Sequence, residues 1–198
     1  IAIHINDTHP ALCIPELMRI FMDVYSYSWE DAWAIVVKTV SYTNHTVLPE
    51  ALECWRVDLF RVRLPRIYAI INEINRRFCD RLWHAFPGDF KRIAEMAVIT
   101  YGQVRMANLC IAMSFSVNGV SQLHSQILKD GIFHDFADIQ IRRGNAAFAQ
   151  TLTGEQLALS VKAQLIDDLM LLSCESLQQE ISRPFRGGKD SFLTGVRQ

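Results

Sequence analysis

The sequence predicts a mainly α-helical structure with one or two short strands, within one or at most two domains. Three observations lead there. Apolar residues recur at helical spacing over several stretches, most clearly from Pro65 to Leu82. Strict alternation is confined to residues 1–5, with a second candidate strand at 97–101. Half of the 198 residues are apolar and 21% are charged, which suits a packed core and excludes a disordered chain.

Each element follows in order. Ile1-Ala2-Ile3-His4-Ile5 alternates as a strand, and Asn6-Asp7-Thr8-His9-Pro10 forms a polar loop at its carboxyl end. Pro10 keeps His9 out of the α region, so the loop stays extended. A helix over 11–25 places Ile14, Leu17, Met18, Phe21 and Met22 on one face. Ser28 with Asp31 reads as a helix start, opening a segment through Trp33, Val36, Val37 and Val40. Residues 41–46 are polar and lack helical period, so they read as a loop. A short helix is expected over 48–55, with Pro49 in its first turn. Pro65 opens the longest helix, and Ile67, Ile70, Ile71, Ile74, Phe78 and Leu82 form its stripe. Pro87-Gly88 ends it. Next come a short helix over 90–96, the candidate strand and a helix over 106–128, interrupted at Asn118-Gly119 and ended by Gly131. One more helix is drawn over about 155–180, and residues 183–198 read as a disordered end.

Charge and cysteine content exclude several classes. With 20 basic and 21 acidic residues the net charge is −1, unlike a nucleic-acid binder or a ligand for anionic membranes. No uncharged apolar run reaches the length of a membrane span. No secretory signal is apparent, so a cytoplasmic location is expected. Five isolated Cys without a CxxC pair read as small buried apolar residues of a reducing compartment. The chain opens at Ile1 inside a strand, as a piece of a longer polypeptide would. All Trp, Tyr and His precede residue 141, whereas the last 58 residues hold three aromatics, Phe148, Phe185 and Phe192. A boundary is therefore expected near residue 140.

Several clusters carry side chains capable of chemistry. His4, Asp7, His9 and Cys13 fit no zinc spacing, so no metal site is expected and Asp7 is read as capping its own loop. Thr43-Asn44-His45-Thr46 offers donors and acceptors suited to sugar hydroxyls, or a turn that satisfies its own backbone. Glu50 and Glu53 stand three apart on the expected short helix, too close for the carboxylate pair of a glycosidase. Ser114, Ser116, Ser121 and His124 lack a nucleophile elbow and an acid partner. Gly119 allows a close backbone approach, to a ligand or to a packed helix.

Longer motifs carry a resemblance. Asn6-Asp7-Thr8-His9-Pro10, Ile14-Pro15-Glu16-Leu17-Met18-Arg19 and Tyr42-Thr43-Asn44-His45-Thr46-Val47-Leu48-Pro49-Glu50-Ala51-Leu52-Glu53 resemble the glycogen (α-1,4-glucan, maltodextrin) phosphorylases. Leu64-Pro65-Arg66, Ile71-Asn72-Glu73-Ile74-Asn75, Phe86-Pro87-Gly88-Asp89, Met106-Ala107-Asn108-Leu109-Cys110 and Val117-Asn118-Gly119-Val120 continue it in order, from residue 1 to about 136. The resemblance implies an α/β fold of two Rossmann-like domains, of which residues 1–136 are part of the N-terminal one. It implies transfer of a terminal glucosyl unit to orthophosphate, giving glucose 1-phosphate, in cytosolic homodimers that carry pyridoxal phosphate.

Carried over by residue, His45 would bond the hydroxymethyl oxygen of the glucosyl unit. Asp7 and His9 would line the pocket beside it, and Asn118, Gly119 and Val120 would form another part of the wall. Thr46 and Glu50 would support His45. The family's Asn-Gly-Ile-Thr-x-Arg-Arg-Trp motif is not found in residues 138–198, nor is the pyridoxal lysine present. Residues 137–198 therefore read as a divergent tail, of frameshifted, rearranged or truncated origin. The chain alone is expected to bind no cofactor and to be inactive. The alternatives are a non-catalytic glucan-binding or interaction module, or a remnant without function.

Overall fold

A computed structural model describes residues 1–142, so the helix expected over about 155–180 and the expected disordered end lie outside the described residues. The opening alternation forms strand β1 (Ile3–Asn6), with Ile3 and Ile5 buried on one face. The following helix is α1 (Cys13–Arg19), and a π-helical turn at Ile20–Val24 extends it to nearly the expected length. Phe21 stacks on Tyr27 beyond that turn, with ring centroids 5.6 Å apart. Helix α2 (Trp29–Thr39) starts as expected: the Ser28 hydroxyl accepts from the Asp31 backbone N–H.

The expected loop at 41–46 is the largest departure. Residues Val40–Asn44 form β2, the central strand of a parallel sheet, and every one of them is buried. A parallel strand covered on both faces needs partners rather than alternation, so its Ser, Thr and Asn carry no periodic strand signal. The expected helix over 106–128 likewise divides into α6 (Met106–Met113), β6 (Ser116–Gly119) and α7 (Gln122–Asp130). The sheet order is β1-β2-β6, with Asn6 opposite Thr43 and Thr43 opposite Asn118.

A second, antiparallel sheet holds short strands β3 (Cys54–Arg56), β4 (Ile99–Thr100) and β5 (Gln103–Arg105), in the order β3-β5-β4. The short helix expected over 48–55 is reduced to one 3₁₀ turn at Pro49–Ala51 before β3. The candidate strand at 97–101 becomes a hairpin, turning where Tyr101 and Gly102 both take positive φ, 49° and 74°. Helical residues still predominate among those described, and the short strands number six. Cys110 is buried as expected, Cys13 and Cys79 are half-buried, and Cys174 lies outside the described residues. Cys54 departs from that expectation, exposed at the edge strand β3.

Helices α3 (Val57–Arg63), α4 (Pro65–Ala85) and α5 (Phe90–Met96) complete the packing around one core. Pro65 starts α4, where its missing N–H costs nothing, and all six residues of the expected stripe are buried. Helix α1 packs on α4 and α2, and Ile14, Met18, Ala32, Val36, Ile70, Ile71 and Ile74 join Ile5 and Tyr42 in that core. The last described helix, α8 (His134–Arg142), is tied to α5 by Arg92, which donates to Asp135 at 2.6 Å and Asp138 at 2.5 Å. This helix runs across the boundary expected at residue 136.

Outside the core, Arg77 donates to Glu73 at 2.6 Å and to Glu30 at 3.0 Å, and its guanidinium lies 5.1 Å from the Trp29 ring centroid. These contacts join α4 to α2. Hydrogen bonds from Arg76 and Arg77 hold the Glu73 carboxyl down at about 2, against an ordinary 4.5. A folded-state value below the unfolded one stabilises fully above pH 4.5 and fades as pH falls toward 2. Glu73→Gln is therefore less stable than the parent chain at neutral pH, and the gap closes between about pH 4.5 and pH 2. Urea midpoints measured across that range check it.

Candidate functional site

Strands β1, β2 and β6 end side by side, at Asn6, Asn44 and Gly119. Their carboxyl ends release three loops: Asp7–Pro10, His45–Leu48 and Val120–Ser121. The edge beyond parallel strand ends is where α/β folds gather ligand groups. Partners across a parallel sheet share a face, so His4, Asn6, Ser41, Thr43, Ser116 and Asn118 lie on one side. Ile3, Ile5, Val40, Tyr42 and Val117 lie on the other. One face of the sheet is polar and the opposite face belongs to the core.

The polar face is bonded across all three strands. His4 Nε2 lies 2.7 Å from Thr43 Oγ1, and the Thr43 hydroxyl donates to Asn118 Oδ1 at 3.2 Å. One step toward the carboxyl edge, His45 Nε2 lies 2.5 Å from Asn6 Oδ1. An amide oxygen only accepts, so Nε2 of His45 donates to it. Burial, and then the neighbouring charge of His45, hold the His4 imidazole below its ordinary value. On the core face, burial pushes the Tyr42 phenol well above its usual range while its oxygen accepts from Asn44 Nδ2 at 3.0 Å.

Each loop is fixed in its own way. Asp7 takes a positive φ of 64°, its N–H donates to the Thr43 carbonyl at 2.9 Å, and its carboxylate accepts from the Thr8 N–H at 2.7 Å. Asn44 Oδ1 accepts from the Thr46 N–H at 2.9 Å, and Thr46 Oγ1 accepts from the Leu48 N–H at 3.1 Å. Glu53 joins the first loop to the second sheet, accepting from the Thr8 hydroxyl and the Trp55 indole N–H, each at 2.7 Å. The Asn118–Val120 segment is held from α7: Gly119 N–H donates to Ser125 Oγ at 2.9 Å and Val120 N–H to His124 Nδ1 at 3.2 Å.

The residues singled out from the sequence fall into two groups. Asp7, His45, Asn118 and Val120 all stand at or just beyond the carboxyl edge of the one sheet, as does Gly119. His9 follows in the first loop, exposed, with Nε2 3.9 Å from the Asp7 carboxylate. Thr46 and Glu50, expected to hold His45, do not supply its hydrogen bond. That bond comes from Asn6, diagonal to His45 on the shared polar face, while Thr46 closes its own turn and Glu50 lies exposed in the 3₁₀ turn. Glu50 and Glu53 do not share a helix either. His4, Asn6, His124 and Ser125 bond to these groups at the strand ends without having been named for it. Their signal is cross-strand pairing, which single-chain spacing does not carry. Among the described residues no group of three or more His, Cys, Asp or Glu is placed to hold a metal ion. Among them, too, no helix is long and apolar enough to cross a membrane.

The parallel sheet with its flanking helices makes this an α/β fold, and its strand ends gather hydroxyl, amide and imidazole groups at one edge. Comparison with known proteins is more specific. The sequence profile of the phosphorylases, described as carbohydrate phosphorylase, matches residues 1–148, and this chain belongs to that family. It is 58% identical over 136 residues to the glycogen phosphorylase of Bacillus subtilis (strain 168), a match covering 69% of this chain. It is 54% identical over 143 residues to the muscle glycogen phosphorylase of Ovis aries and 53% to that of Homo sapiens, each covering 71% of this chain. In all three cases the chain spans 17% of the relative's length, so it corresponds to a segment of a phosphorylase. The family match passes the residue near 136 where the recognisable motifs stop.

Gly119 shows how tightly the wall is built. A Cβ there would lie 2.8 Å from His124 Cγ and 2.9 Å from the Ser125 backbone nitrogen. The α7 backbone cannot retreat without losing the bonds from Gly119 and Val120. Gly119→Ala should lower the stability of the chain by about 1–3 kcal/mol. Chemical denaturation measures that, and equal midpoints for the two proteins would contradict the close approach.

Proposed function

We propose that this chain is one wall of the glucosyl site of an α-1,4-glucan phosphorylase, whose whole polypeptide transfers a terminal glucosyl unit of glycogen or maltodextrin to orthophosphate. The observation that carries the reading is the convergence of Asp7, His45 and Asn118 on one strand edge, each pre-bonded to a neighbouring strand or loop. Sugar hydroxyls need donors and acceptors at fixed angles, and groups held in advance need no reorganisation when the sugar arrives. With Nε2 of His45 spent on Asn6, its Nδ1 accepts from the sugar's hydroxymethyl group. The Asp7 carboxylate accepts from a second hydroxyl. Gly119 and Val120 supply backbone to the wall, and the missing Cβ at 119 lets α7 pack directly against it.

Family membership also supports a cytoplasmic homodimer whose full-length form carries pyridoxal phosphate. That group is held through a lysine amine, and it would supply a phosphate for proton transfer. The lysines among the described residues are Lys38 in the last turn of α2, Lys91 in α5 and Lys129 in the last turn of α7. None of them stands in the three loops at the sheet edge. The described residues therefore do not fit the group, and the role assigned to this chain is confined to sugar recognition.

The test separates recognition from catalysis. Given glycogen and orthophosphate, the 198-residue chain is expected to release no glucose 1-phosphate. Titrated with D-glucose, ¹⁵N-labelled chain should shift the resonances of His45, Asn118 and Val120, whereas L-glucose should leave them in place. His45→Ala should abolish most of the response. Identical spectra with both enantiomers would sink the sugar-site reading.

A further inference from the structure

The polar face of the parallel sheet contains a hydrogen-bond chain whose direction is fixed at one end. The Gly119 carbonyl only accepts, and Asn118 Nδ2 donates to it at 2.8 Å. That bond sets the amide orientation of Asn118, so Oδ1 is the atom turned to Thr43. Oδ1 also only accepts, which commits the Thr43 hydroxyl proton to it across 3.2 Å. The Thr43 oxygen is then left to accept, and the atom 2.7 Å away is His4 Nε2. His4 must therefore carry its hydrogen on Nε2. Thr43 and Asn118 are both buried, so neither turns to solvent for a substitute partner.

We propose that His4 is a positioning residue for the sugar wall, fixing the side-chain amide of Asn118 through the Thr43 hydroxyl. Its functional consequence rests on the glucosyl-site reading above; its geometry does not. The division of roles within the wall is clear from the contacts. Helix α7 holds the backbone, through Ser125 Oγ on Gly119 N–H and His124 Nδ1 on Val120 N–H. The sheet holds the side chain, through His4 and Thr43. When the His4 donor is removed, the Thr43 hydroxyl is free to turn, and Asn118, whose amide orientation the Gly119 carbonyl still sets, loses the committed donor to its Oδ1. The side chain is then held at Nδ2 alone, and its position at the wall loosens.

The full ¹⁵N-labelled chain provides the test, with no activity required. Long-range ¹H–¹⁵N spectra should show neutral His4 as the Nε2–H tautomer, and a predominant Nδ1–H tautomer would overturn the proposal. His4→Leu should shift the Asn118 side-chain amide resonances and weaken the D-glucose response there roughly five- to ten-fold, the loss of about one buried hydrogen bond. His4→Gln places an amide donor where Nε2 stood and should restore both. A folded His4→Leu chain with unmoved Asn118 resonances refutes positioning, whatever the sugar does. If His4→Leu does not fold, the tautomer of the parent chain decides. A parent chain with the expected tautomer and no glucose response keeps the relay and removes the sugar-site reading.

Discussion

Everything at this site depends on burial of β2. A strand with no exposed residue has no water to satisfy its polar groups, so each must find a partner in the protein. Thr43 shows what that requirement dictates. Its carbonyl takes the Asp7 N–H, which draws the first loop back over the strand end, and its hydroxyl bridges His4 and Asn118. Sliding β1 or β6 by one residue would turn an isoleucine or valine to the polar face and strand these groups. Strand register and site geometry are thus one constraint. The sheet cannot pair differently and still offer the same groups at its edge.

The same constraint explains what the sequence does and does not announce. Helix α4 buries one stripe against α1, so its apolar residues recur every three or four positions and its extent is plain. The start of α2 is equally plain, because a hydroxyl three residues before the backbone N–H it accepts from is a local pattern. Strands β2 and β6 encode their structure in partners 39 and 75 residues away, so Ser-Tyr-Thr-Asn reads as a loop and Ser-Val-Asn-Gly as part of a helix until those partners are known. The hydrogen bond to His45 follows the same logic. Thr46 and Glu50 are its neighbours along the chain, while Asn6 is its neighbour across the sheet. Resemblance to a family found the groups at the strand ends, and only the paired strands show what holds them.

Around the sheet, arginines do the joining that the core leaves undone. Arg77 sits between two carboxylates and an indole face, and Arg92 lies 3.9 Å from the Phe86 ring centroid while gripping two aspartates of α8. Such planar cations suit this place, since one guanidinium serves carboxylates at its edge and a ring at its face. Exposed pairs of this kind contribute little singly. Their value is geometric, because each links helices that the apolar cluster touches on one side only. Through Arg92 and through Phe136 stacked near Phe78, the ordered fold continues past the last recognisable motif into α8.

The wall formed by Asn118, Gly119 and Val120 has its accuracy from two independent sources. Helix α7 begins at the Ser121 cap, and its first turn returns His124 and Ser125 to the two backbone N–H groups just before it. A loop clamped by the helix it opens keeps its backbone wherever that helix packs. The side chain of Asn118 answers instead to the sheet, through Thr43. Groups on rigid elements with their remaining valences already bonded lose little freedom on meeting a ligand. In the glucosyl-site reading proposed above, groups fixed on one side of a ligand act together with groups placed opposite them, and the chain spans 17% of the length of the relative from Bacillus subtilis that it matches.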